Sequence, residues 1–252
     1  MQTDEAESHF MSGTLIKRSR ATMLIAAGVV ALSTVSAGGA QAAAAAPETC
    51  TIKSYTPAKF IVGTTDTEHL FKVKTSGCSQ RSWRIDLLVD GDTVLIATKA
   101  KPLTTFFPKE LDNRLAGTYK VRVTVKSTDN KTSKKTFKFG LLRQSTFGKT
   151  LNAGPEPAIK GDPLKVVGTL KRVNWGPTPS FSPYANRTVQ VQFKASGAKT
   201  FVNVKSATTD ADGKVSATVT AKKSGSWRLH FAGNSATGAT NSAADGVTVS
   251  VS

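Results

Sequence analysis

Carboxylates, histidines and helical periodicity are all scarce in this chain, and each shortage removes a class of chemistry. Seventeen Asp and Glu stand against 34 Lys and Arg in 252 residues. The carboxylates are scattered, with no recognisable pair for acid-base hydrolysis. Of the three histidines, His9 lies near the start, and neither His69 nor His230 has a cysteine or carboxylate at a motif spacing. The patterns "GxSxG" and "HExxH" and a phosphate-cradling glycine loop are missing. No long segment beyond residue 50 follows the helical period, so a recognition helix for nucleic acid is not expected, nor is a dedicated nucleic-acid role. Together these shortages argue against an enzyme, a cofactor or a metal centre.

Long apolar runs are also rare. One stands out, "MLIAAGVVAL" from Met23 to Leu32, preceded by Lys17, Arg18 and Arg20 and followed by Ala40-Gln41-Ala42. That order is a secretory signal peptide with cleavage expected after Ala42. A run of about ten residues falls well short of the roughly twenty a spanning helix needs, so the mature form is expected to carry no transmembrane anchor. The acidic "MQTDEAESHF" fits no signal-peptide n-region, which points to translation from Met11 rather than Met1. Residues 1–42 hold three basic and three acidic groups, so the whole net charge of +17 stays on the exported part. Such a balance suits polyanionic surroundings. The two cysteines, Cys50 and Cys78, form an even pair in an oxidising compartment and are expected to be bonded, stabilising the domain by roughly 3–4 kcal/mol. The residues "APET" before Cys50 do not make it a lipid-anchor site. The expected location is extracellular, with loose cell-wall association.

What remains is alternation. "CTIKSY", "LFKVKTSG", "SWRIDLLV", "DTVLIA", "GTYKVRVTVK" and "KKTFKFGLL" read as strands in the first half. "LKVVGTLKRV", "RTVQVQFKA", "KTFVNVKSA", "KVSATVTA", "SWRLHFAG" and "GVTVSVS" repeat the style in the second. Asp90-Gly91 and Asp212-Gly213 are tight-turn signals. "GTYKVRV" from Gly117 matches "GSWRLHF" from Gly225, and "RIDLLV" from Arg84 matches "TVQVQF" from Thr188 more loosely. Two successive sandwiches account for both spacings. The expected organisation is a leader at 1–42, a first β-sandwich at 43–147, a linker or first strand at 148–163 and a second β-sandwich at 164–252.

The stretch "LAGTYKVRVTVKSTDNKTSKKTFKF" resembles the last two strands of immunoglobulin-like and PKD-like modules of bacterial secreted proteins. That resemblance makes Tyr119 a tyrosine-corner residue and puts Val121 where antibody-type domains carry their second cysteine. Cys50 and Cys78 are then expected to staple the first strand to the end of the second. "GTLKRVNW", "RTVQVQF", "TTDADGKV" and "SGSWRLHFAG" resemble a β-sandwich recurrent in exported proteins of high-GC Gram-positive bacteria. The resemblance implies an all-β fold of two tandem immunoglobulin-like sandwiches and an exported location, and no reaction.

Three constellations invite a functional reading. Lys120, Arg122, Lys126, Lys134 and Lys138 fall on the polar parity of two adjoining strands, a candidate anion-binding face. Like charges across strands oppose sheet stability by a few tenths to about 1 kcal/mol, so stability does not explain them. Solubility and edge protection are the alternative explanation. The loop "NWGPTPSFSPYAN" carries Trp175, Phe181 and Tyr184 among prolines, and offers either a sugar-stacking platform or rings folded back over the core. "DGD" at Asp90–Asp92 and "DADG" at Asp210–Gly213 each offer two carboxylates, fewer than calcium asks for, and read as turns. The resulting expectation is a non-catalytic binding or adhesion protein for an anionic cell-wall polymer or an extracellular protein. A carbohydrate- or ligand-binding module using Trp175–Tyr184 is one alternative, and a small hydrolase using His69 or His230 is another.

Overall fold

The computed structural model describes residues 50–90, 92–149 and 151–251. The expected signal peptide, the expected start site and Gly91 lie outside them. The chain is all-β, two tandem immunoglobulin-like β-sandwiches. Among the described residues no helix is long and apolar enough to cross a membrane.

The first sandwich is built from β1 (Thr51–Thr56), β2 (Lys59–Val62), β3 (Thr67–Leu70), β4 (Lys72–Ser76), β5 (Gln80–Val89), β6 (Asp92–Thr98), β7 (Leu103–Phe106), β8 (Gly117–Ser127) and β9 (Thr132–Arg143). One sheet has the order β2-β9-β8-β5-β6, and the pairs β1-β4 and β3-β7 complete the fold. Alternation sets the faces: Val121, Val123 and Val125 of β8 are fully buried, while Lys120 and Lys126 are exposed. Each buried valine contributes roughly 1.5–3 kcal/mol relative to exposure. Phe60 of β2 lies at the centre of the core, with Phe71, Phe106 and Phe139 meeting its ring at 5.4, 4.5 and 5.2 Å.

Two features mark the immunoglobulin-like plan. The Tyr119 hydroxyl donates to the Leu115 carbonyl four residues upstream at 2.6 Å, the tyrosine corner. Trp83 is buried on β5, the neighbour of β8. The Cys50–Cys78 disulfide joins the residues flanking β1 and β4, where Thr51 pairs with Ser76. The expected single strand "LFKVKTSG" is interrupted at its start. Phe71 separates β3 from β4, its amide donating to Pro102 O at 2.8 Å and its ring entering the core.

The second sandwich contains β10 (Ser145–Thr146), β11 (Asn152–Gly154), β12 (Ala158–Ile159), β13 (Pro163–Thr169), β14 (Lys171–Asn174), β15 (Ser180–Pro183), β16 (Thr188–Ala195), β17 (Val202–Thr208), β18 (Lys214–Thr220), β19 (Gly225–Phe231), β20 (Thr240–Asn241), β21 (Asp245–Val247) and β22 (Val249–Ser250). One sheet runs β17-β16-β19, extended by β20 and β21. A second runs β11-β13-β18, a third β10-β14-β15, and β12 pairs with β22. "LKVVGTLKRV" is two strands rather than the expected one. At Leu170 the chain bends from the sheet of β13 to that of β14, its amide held by Gly213 O at 2.8 Å. Leu164, Val166, Leu170, Val189, Val191, Trp227 and Leu229 fill the core between the layers.

The internal repeat is visible in the strand register. Leu87 of β5 pairs with Val121 of β8, and their counterparts Val191 of β16 and Leu229 of β19 pair in the same way. Asp86 opposite Arg122 likewise corresponds to Gln190 opposite His230. The two quoted repeats are therefore the same central strand pair in successive sandwiches.

Candidate functional site

The five cations singled out in the sequence lie on β8 and β9, on one face of a sheet that β5 continues. Lys120 lies opposite Lys138 on one side and Leu88 on the other. Arg122 lies between Thr136 and Asp86, Thr124 between Lys134 and Arg84, and Lys126 between Thr132 and Ser82. All are exposed except Arg122, which is half-buried. Strand spacing of about 4.8 Å and a rise of about 3.4 Å per residue make this a face of roughly 10 by 20 Å.

Asp86 is the one carboxylate among the described residues of that face, and it is 4% exposed. Arg84 Nε donates to both of its oxygens, at 3.0 and 2.9 Å. That hydrogen bond, ahead of the ion-pair attraction, holds the Arg84 guanidinium above its ordinary range. Asp86 is thus already engaged by Arg84, and among the described residues no carboxylate is paired opposite these lysines. Reading "RIDLLV" for its apolar residues alone missed the pair, although Arg84 and Asp86 stand two apart and so share a strand face. Lys59 was missed as well. It pairs with Gly140 at the β2 edge of the same sheet, and a Cβ on that glycine would meet the Lys59 Cβ at 3.3 Å. Lys135 takes the core-facing parity opposite Val123, and its Nζ reaches out to Ile52 O at 3.1 Å.

The aromatic loop is corrected. Trp175 and Tyr184 are each 5% exposed, and Phe181 is half-buried on β15 opposite Val173, so the rings form no open stacking platform. Trp175 instead ties the sandwiches together: its Nε1 donates to Val62 O at 3.2 Å, and its amide donates to Asn113 Oδ1 at 2.9 Å. The Tyr184 ring belongs to the second core, edge-on to Phe231 at 5.7 Å. The guanidinium carbons of Arg172 and Arg187 lie 4.1 and 4.6 Å from its centroid.

Arg143, at the end of β9, went unnoticed in the sequence. It is 5% exposed, and its Nε donates to Val173 O at 2.6 Å while Nη2 donates to Asn174 Oδ1. Burial, reinforced by the charge of Arg172, lowers its pKa to about 10. Its backbone also bonds the loop after β19, to Ala236 O at 3.1 Å and from Gly238 N at 2.9 Å.

The remaining candidates have structural partners. His69 stacks on Phe60, rings 4.2 Å apart and 12° from parallel. His230 Nδ1 lies 2.8 Å from Asn241 Oδ1. Asp210 Oδ1 accepts the amides of Asp212 and Lys214 at 2.9 and 2.8 Å, closing the turn in which Gly213 has φ +72°. Asp90, with φ +48°, begins the two-residue connection from β5 to β6.

No family model matches the chain, and no curated protein does. Among solved structures it is similar to the CbhA fibronectin(III)-like modules of Clostridium thermocellum, at 16% identity over 81% of this chain and 94% of that chain, with a TM-score of 0.37. It is also similar to a bacterial ice-binding adhesin, at 11% identity over 82% of this chain and 66% of that one, TM-score 0.28. Murine CEACAM1b is similar at 8% identity over 80% and 100% of the two chains, TM-score 0.32. At overlaps this low, the fold rests on strand order and repeat register.

Proposed function

We propose that this chain is a secreted, non-catalytic binding protein that adheres to anionic cell-envelope polymers through the outer face of β5, β8 and β9. One observation carries the reading: Lys120, Arg122, Lys126, Lys134 and Lys138 share that face with a single buried carboxylate, already held by Arg84. Lys120 directly opposite Lys138 opposes the sheet by up to about 1 kcal/mol, which an external anion would offset. Phosphate-rich wall polymers supply a repeating anion that suits a face of separate point charges. The resemblance of the second half to exported domains of high-GC Gram-positive bacteria fits this compartment.

Sedimentation with isolated cell walls tests the proposal. Retention is expected at low salt and release as ionic strength rises to about 0.5 M, where the screening length falls to a few ångströms. Walls stripped of phosphate polymers should retain several-fold less protein, as should the Lys120→Gln/Lys138→Gln variant on intact walls. Retention indifferent to salt, or unchanged in that variant, would overturn the reading.

A further inference from the structure

In the other sandwich a seam runs between β17 and β18, consecutive strands that belong to opposite sheets. There a groove of about 470 Å³ opens beside the core, within the range of roughly 300–1,000 Å³ usual for small-molecule sites. Its floor is Trp227 and Phe193, whose rings lie 4.6 Å apart, with Val219 beside them. The glycine at the start of β19 sets this floor. A Cβ on Gly225 would come within 2.6 Å of the Phe193 ring and 2.3 Å of Lys194 O, so no larger residue leaves the ring where it is.

The wall is made by a bulge. Val191 pairs with Lys205 and Gln192 with Asn203, so Val204 has no cross-strand partner, and it is 48% exposed. Bulges of this kind re-aim side chains and recur beside functional sites. Just before the slip, Lys205 lies opposite the buried Val191, and its Nζ spans to Thr218 O of the facing sheet at 2.9 Å. Lys222 and Lys223, both exposed, stand at the rim. No carboxylate lines the groove among the described residues. An apolar trough ending in two unneutralised ammonium groups is complementary to one kind of molecule: an alkyl chain with an anion at its end.

We propose that the seam binds a single-chain amphiphile with an anionic headgroup, the chain lying on Phe193, Trp227, Val219 and Val204 and the headgroup meeting Lys222 and Lys223. The site is separate in residues and chemistry from the lysine face of the first sandwich. Titration calorimetry of the full chain with dodecanoate, kept below its micelle-forming concentration, tests the idea. Saturable binding of one molecule is expected. Dodecyl maltoside, with the same chain and a neutral head, should bind about tenfold more weakly, and acetate should not bind measurably. Lys222→Gln/Lys223→Gln should weaken dodecanoate by roughly five- to tenfold. Val204→Glu, a change on an exposed position that spares the core, should abolish binding. Lys120→Gln/Lys138→Gln should leave it unchanged, which separates this test from wall retention. Absence of saturable binding, or full binding by Val204→Glu, would overturn the site. Equal affinity for the maltoside would overturn its anionic selectivity.

Discussion

At His69 the imidazole lies flat on Phe60, and its Nε2 is buried without a hydrogen-bond partner. Burial holds its pKa below the ordinary 6.5. The folded chain therefore binds the proton less readily than the unfolded one. Stability contributed by the neutral ring is intact above the ordinary value, is lost as pH falls below it, and levels off once pH passes the depressed folded value. Urea unfolding between about pH 8 and 5 should show this decline, and His69→Phe, which keeps a ring and removes the titration, should flatten it. An equal slope in both proteins would place the titration elsewhere. The residue scale also explains why the sequence left Trp175 open between a stacking platform and a ring folded over the core. Its indole partner, Val62 O, is 113 residues away, and an aromatic among prolines looks the same in sequence whether it faces water or a neighbouring sandwich.

Elements were legible where alternation was strong and the turn chemistry local. The polar parity of β8 and β9 was readable because their pairing follows from a short hairpin, and the repeat was readable because both copies keep an aromatic-base-aliphatic order in a central strand. The bend at Leu170 was not, because what breaks that strand is distant in sequence: Gly213 O receives the Leu170 amide. Asp212-Gly213 announced a turn but not its second task. A Cβ on Gly213 would meet Leu170 O at 2.4 Å and Tyr184 N at 2.9 Å, and φ there is +72°. Gly213→Ala should therefore destabilise by at least about 2 kcal/mol, combining backbone strain with a clash against fixed backbone atoms. A thermal melt checks this, and a shift of less than a degree would mean that the bend relaxes freely. The short strands β2, β3 and β15 were missed because four residues carry too little periodicity to register.

For the whole molecule, the decisive contacts lie where β9 ends. Only Gln144 stands between β9 and β10, and its carbonyl accepts the Val173 amide at 2.9 Å while its own amide donates to Val62 O at 3.0 Å. Arg143→Leu would leave Val173 O and Asn174 Oδ1 without their donor, a loss of about 1–3 kcal/mol. Calorimetry should then resolve separate unfolding of the two sandwiches, and an unaltered profile would show that Arg143 does not couple them. Gly176 N to Pro108 O, at 3.1 Å, adds another bond across the same seam. Fluid drag on a tethered copy would therefore meet no slack hinge to uncoil between its halves. The load would fall at once on a row of bonds that must shear together, and whatever one end grips would feel the other end's pull undamped.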